Sequence, residues 1–169
     1  MHRGIAREIL ENEIFDSREI YNKSICEIKM FFWAYGSKLY KNSLSSKLYK
    51  RTSNFFLTDV AFTSFNNYEY SLKELNRILD NRLEFYSKGQ TIKDKNKLDE
   101  FYSIVYKLWF SEPLKDLDYI NASLNISESL EHSIKVKSFY DNYMPIYMQS
   151  LEELLHIINN QKLNRRSFF

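Results

Sequence analysis

Three glycines and two prolines are all that punctuate this sequence of 169 residues. All-β folds use both residue types at turns, bulges and edges. A chain with so few has little means of making the many tight reversals that such folds require. Long helices joined by short polar connections are the architecture left. The expected fold is therefore all-α: a single-domain helical bundle of about six to eight helices over residues 1–161, with a flexible C-terminal tail over residues 162–169.

The apolar spacing carries the same message. Ile5, Ile9, Leu10 and Ile14 predict a short first helix. Asp16 with Glu19 has the spacing of a capping box. Tyr21, Ile25, Ile28, Phe32, Tyr35 and Leu39 then step by four and three over five turns. Gly36 interrupts this stripe and is expected where a neighbouring helix comes close. A polar loop is expected at Asn42 to Ser46. Phe55, Phe56, Leu57, Val60, Phe62 and Phe65 keep no clean period but are assigned to a helix. Asn66 and Asn67 read as a break. Tyr68, Leu72, Leu75, Leu79, Leu83 and Tyr86 form the next stripe, with Gly89 placed to cap it in a left-handed conformation. Leu98 to Trp109 marks a helix that stops before Pro113. A short helix and turn are expected between Leu114 and Asn125. A further helix is expected from Ser127 or Ser129 to Tyr143. Pro145 then suits the first turn of a last helix that buries Tyr147, Leu151, Leu154, Leu155 and Ile158.

Catalytic constellations are harder to find. Phosphate-cradling loops need several clustered glycines, and three scattered ones cannot form them. His2, His132 and His156 are far apart in sequence. Glu153 and His156 make one E-x-x-H, where a di-iron bundle needs two such motifs and two more glutamates. Cys26 adjoins Ile25 on an apolar helix, the setting of an inert buried thiol. Adjacent acids, such as Glu152 and Glu153, diverge by about 100° on a helix, from 3.6 residues per turn. No metal, cofactor or catalytic residue is assigned on this basis.

The charge distribution is more informative than the net charge of +2. Residues 28–58 hold Lys29, Lys38, Lys41, Lys47, Lys50 and Arg51 and not one acid. Trp33, Tyr35, Tyr40, Tyr49, Phe55 and Phe56 are interleaved with them. Cations neutralise phosphates and release counterions, and aromatic faces stack on unpaired bases. Lys38, Lys41, Lys47, Lys50, Arg51, Tyr40 and Tyr49 are thus the candidate partner-binding residues. The opposing expectation is that the lysines only solvate a helix, or pair with acids of residues 59–134.

These readings point to a non-enzymatic macromolecule-binding module, of the inhibitor, immunity or assembly-subunit type, whose partner is a protein or nucleoprotein. Direct binding of RNA or single-stranded DNA is the first alternative. An enzyme with an unconventional site is the second. Contact with an anionic membrane surface ranks below these. The longest apolar run, Met30 to Tyr35, is far short of the ~20 residues that span a bilayer. With one cysteine, and no apolar run before Glu13 to serve as a signal, a cytoplasmic setting is expected. The richness in Lys, Asn, Ile, Tyr and Phe resembles A+T-rich coding, as in mobile elements or viruses.

Overall fold

A computed structural model describes residues 2–11, 13, 15, 17–65, 71–110 and 126–166. Six helices and no strand occur among them: α1 (His2–Leu10), α2 (Arg18–Ser43), α3 (Ser46–Phe65), α4 (Leu72–Gly89), α5 (Lys95–Phe110) and α6 (Ile126–Arg166). The fold is an all-α bundle. Asn66, Asn67, Tyr68 and the elements expected in residues 114–125 lie outside the described residues. None of the described helices is long and apolar enough to cross a membrane.

Helix α2 is the axis of the bundle. Ser17 caps it, its hydroxyl accepting the Ile20 N–H at 3.2 Å. This cap replaces the expected box, whose Asp16 lies outside the described residues. Every residue from Lys23 through Ala34 is buried. A one-sided stripe cannot produce that. It follows because α2 touches each of the other five helices. Phe31, Phe32, Ile28 and Met30 fill the space between them. The polar residues of this stretch are consequently carried into the interior as well.

Helix α4 opens with the full capping box of Ser71 and Glu74, two helix-end donors satisfied reciprocally. Gly89 does not end it in a left-handed turn, since no described residue has positive φ. A Cβ at Gly89 would instead collide with the ring of Phe101 on α5. The glycine is there for space, not for rotation. Gly36 behaves as expected: an added Cβ would strike the Tyr147 hydroxyl and lie 2.8 Å from a Leu151 methyl. That absence lets α6 settle onto α2.

The loop expected at Asn42 to Ser46 shrinks to Leu44 and Ser45. The Leu44 N–H reaches the Tyr40 carbonyl at 3.0 Å, and Ser45 accepts the Tyr49 N–H at 2.8 Å. Helices α2 and α3 therefore form a tight corner.

The two helices expected around Pro145 are one. Helix α6 runs through the proline, and the residues expected as a tail from Lys162 begin within its bounds. Val136, Met144, Tyr147, Leu151 and Leu155 are buried, with Tyr140 half-buried among them. These positions stay in helical phase across Pro145, so packing holds both halves on one axis. Pro145 and Asp141 are exposed. The carbonyl that the proline leaves without its helical donor thus faces water.

Candidate functional site

The acid-free segment folds into the α2–α3 corner. Three stacked rings build it: Trp33 lies 4.5 Å from Phe56 of α3 and 4.7 Å from Tyr40 of α2, centroid to centroid. Offset ring pairs of this kind add roughly 0.5–1.5 kcal/mol beyond their buried area. Deeper along the same interface, Lys29 is buried and pairs with Asp59. The corner is thereby fixed from both ends.

Five cations emerge from that support. Lys38 and Lys41 are exposed on the last turns of α2, and Lys47, Lys50 and Arg51 are exposed on the first turns of α3. None of the five takes part in an ion pair among the described residues. Of the cations in residues 28–58, Lys29 is the one locked onto a carboxylate. Among the described residues, pairing with the acidic central region thus does not neutralise the corner.

The aromatic members separate. Tyr40 belongs to the core, not to the surface: it is 6% exposed, and Trp33 covers its face. Burial also raises the pKa of its hydroxyl. Its position one turn from Leu44, at the closed corner, turns the ring inward. Tyr49 is half-buried against the core. The ring that does reach solvent is Phe55, 77% exposed. It follows Arg51 by four residues, so both lie on one face, about 6 Å apart along the axis. Sequence reading placed Phe55 in the segment but not in the surface, because α3 keeps no clean apolar period. Exposed Lys47, Lys50, Arg51, Asn54 and Thr58 share that face.

The position of the cations on α3 is itself unusual. A helix N-terminus carries partial positive charge and favours acids. The first turn of α3 has no acid, and it presents Lys47. Helix stability alone would choose the opposite charge there.

No protein-family model matches the chain, and neither the curated proteins nor the solved structures contain a significant match. Function therefore rests on the geometry.

The nucleophile and metal-ligand types have separate surroundings. Cys26 is buried, its Sγ 3.8 Å from the Val60 carbonyl. His132 stacks on Tyr106 with centroids 4.0 Å apart. His156 is exposed and bonds to Asn160 at 2.9 Å. Glu153 accepts from Gln149 at 3.0 Å. Among the described residues, no three of His, Cys, Asp and Glu are grouped to hold a metal ion.

One polar cluster escaped the sequence reading entirely. Glu27 on α2 accepts the Arg82 Nε–H at 3.1 Å and the Tyr86 hydroxyl at 2.6 Å. Lys23 is buried one turn before Glu27 on the same helix. Burial pushes the Lys23 ammonium down to about 8, against the opposing pull of Glu27 and with a further push from Arg82. Tyr86 is held neutral by burial and by the Glu27 charge. Nothing in the spacing of Glu27 and Arg82, 55 residues apart, announces this meeting.

Proposed function

We propose that the protein is a binding module that docks on an anionic macromolecule through the α2–α3 corner, acting by surface occupation and not by catalysis. The observation that carries the reading is the display of Lys38, Lys41, Lys47, Lys50 and Arg51, all exposed and outside any ion pair among the described residues. The rigid Trp33 stack beneath them supports it, because preorganised charge loses little freedom on binding. A protein or nucleoprotein partner with an acidic face fits this chemistry. A cytoplasmic setting, with inhibitors, immunity factors and assembly subunits of mobile elements or viruses as functional parallels, belongs to the same proposal.

Phe55 favours a second reading, direct binding of RNA or single-stranded DNA. An exposed ring one turn beyond two cations offers a base a face to stack on, while Lys47, Lys50 and Arg51 meet phosphates.

The test is a panel of an acidic polypeptide, a single-stranded oligonucleotide and an anionic vesicle, each titrated at several salt concentrations. Binding that weakens steeply with salt, and that flattens in the Lys47→Ala/Lys50→Ala/Arg51→Ala variant, supports docking at the corner. Equal binding by the wild type and the triple variant removes it. Loss of oligonucleotide binding in Phe55→Ala, with polypeptide binding kept, selects the second reading.

A further inference from the structure

Away from the corner's cations, α2, α5, α6 and the end of α4 enclose a cleft of about 540 Å³. That volume falls within the range of small-ligand sites. Three tyrosines from three helices meet in it: Tyr35, Tyr102 and Tyr140. The Tyr35 and Tyr140 rings lie 5.4 Å apart and inclined by 62°, and the Tyr102 and Tyr140 rings 6.0 Å apart and inclined by 43°. Phe31 backs Tyr35 at 4.7 Å. The three rings thus pack against one another into one continuous aromatic wall of the cleft.

Their hydroxyls have no hydrogen-bond partner among the described residues. Tyr102 is 4% exposed and Tyr35 and Tyr140 are half-buried, yet none of the three hydroxyls is among the described buried atoms left without a partner, so they are open to whatever enters the cleft.

The charge around them has a sign. Burial raises the pKa of all three phenols. The Asp141 carboxylate acts on Tyr102 and Tyr140, and Asp99 acts on Tyr102. The phenols themselves are uncharged at neutral pH, so these two carboxylates are what favours a cation beside Tyr102 and Tyr140. Lys137, exposed, also lines the cleft and opposes this. The side chains of Met144 and Met148 complete the lining with soft, apolar surface.

We propose that this cleft binds an organic ammonium ion, its alkyl groups against the rings of Tyr35, Tyr102 and Tyr140 and its charge answered by Asp141. The rings contribute cation–π attraction, the hydroxyls accept any N–H, and the methionines receive the alkyl chain. A free small amine and the methylated lysine of a partner share this chemistry.

The test is titration of the full chain, followed by NMR, with choline, with its uncharged carbon isostere 3,3-dimethylbutanol, and with paired peptides bearing trimethyl-lysine or norleucine. A cation is expected to bind about tenfold more tightly than its neutral match. Asp141 and Lys137 are exposed, so their variants report on binding without a folding defect: Asp141→Asn weakens the cation several-fold and Lys137→Ala tightens it. Stronger binding of the trimethyl-lysine peptide than of choline assigns a partner's side chain, and the reverse assigns a free amine. Equal binding of charged and neutral probes, or no saturation by any cation up to about 20 mM, overturns the proposal. So does weaker binding of the cation in Lys137→Ala.

Discussion

Arg82 donates its Nε–H to Glu27 at 3.1 Å in a place where their side chains are only 3% and 1% exposed. The pair joins α4 to α2 at the centre of the bundle, and the Tyr86 hydroxyl completes the carboxylate's bonding. Glu27 acts on two buried cations, Lys23 and Arg82. Removing its charge while both stay buried is the costly way to break such a pair. Glu27→Gln is therefore expected to lose about 3–5 kcal/mol in urea unfolding. Lys23→Met is expected to lose little or to gain, because burial is the largest influence on Lys23 and it opposes the charge. If Lys23→Met proves the more damaging variant, Lys23 and not Glu27 organises the cluster.

The same lysine sets a pH dependence. Its pKa falls from 10.5 in the unfolded chain to about 8 in the folded one. A depressed value means that the folded state gives up the proton first, so this contribution to stability is present above the unfolded pKa and is lost as pH falls through 8. From pH 7 to pH 10 stability is expected to rise by about 2–3 kcal/mol from this group. The tyrosines act the other way. Tyr35, Tyr102, Tyr140, Tyr147 and Tyr86 have raised values, so their contribution is complete below pH 10 and declines above it. A maximum near pH 10 is the expected outcome in thermal melts. Lys23→Met is expected to abolish the rise below pH 10 and to leave the decline above it.

Local features of this fold could be read from sequence, and meetings between distant residues could not. Scarce Gly and Pro argue against an all-β fold, and the stripe along α2 finds its helix, because both are properties of the local sequence. The close approach at Gly36 was legible for the same reason: a glycine in an otherwise strong stripe needs a packing cause. The charge of the α2–α3 corner was legible because all its cations lie within one segment. Glu27 meeting Arg82, or Tyr35 meeting Tyr102 and Tyr140, depends on how helices are arranged around α2. Gly89 and Pro145 were misread through their commonest roles. Each is decided by tertiary contact, with Phe101 over Gly89 and an unbroken buried face beside Pro145. Tyr40 was misassigned to the surface because a tyrosine beside lysines looks the same whether it stacks on a base or on Trp33.

Lys47 separates function from stability. It sits in the first turn of α3, where the helix dipole and the neighbouring Lys50 and Arg51 all disfavour a cation. Lys47→Glu is expected to stabilise the fold by about 0.3–1 kcal/mol at low salt. The same change is expected to weaken binding of anionic partners and to lower the slope of affinity against salt. Calorimetry and a salt titration on one preparation measure both. A variant that melts earlier, or that binds as before, would show that Lys47 serves α3 and not a partner.

Pro145 poses the sharpest question about α6. A proline inside a helix removes the bond to the carbonyl four residues earlier, here Asp141, and costs about 3 kcal/mol relative to alanine. Part of that is offset, since proline also restricts the unfolded chain by about 0.4–1 kcal/mol. Pro145→Ala is therefore expected to stabilise by about 2 kcal/mol, seen as a higher urea midpoint at unchanged m-value. The side chain is exposed, so no core contact is lost. The cleft gives the proline a second consequence: Tyr140 and Asp141 precede it and Met144 and Met148 flank it. Alanine restores the helical bond to the Asp141 carbonyl, which is expected to shift the first pair against Met148. Higher stability with weaker choline binding is the expected combination in Pro145→Ala. A destabilised variant would mean that the Tyr147 and Leu151 contacts at Gly36 need the proline's local geometry, and that α6 is shaped for packing and not for the cleft.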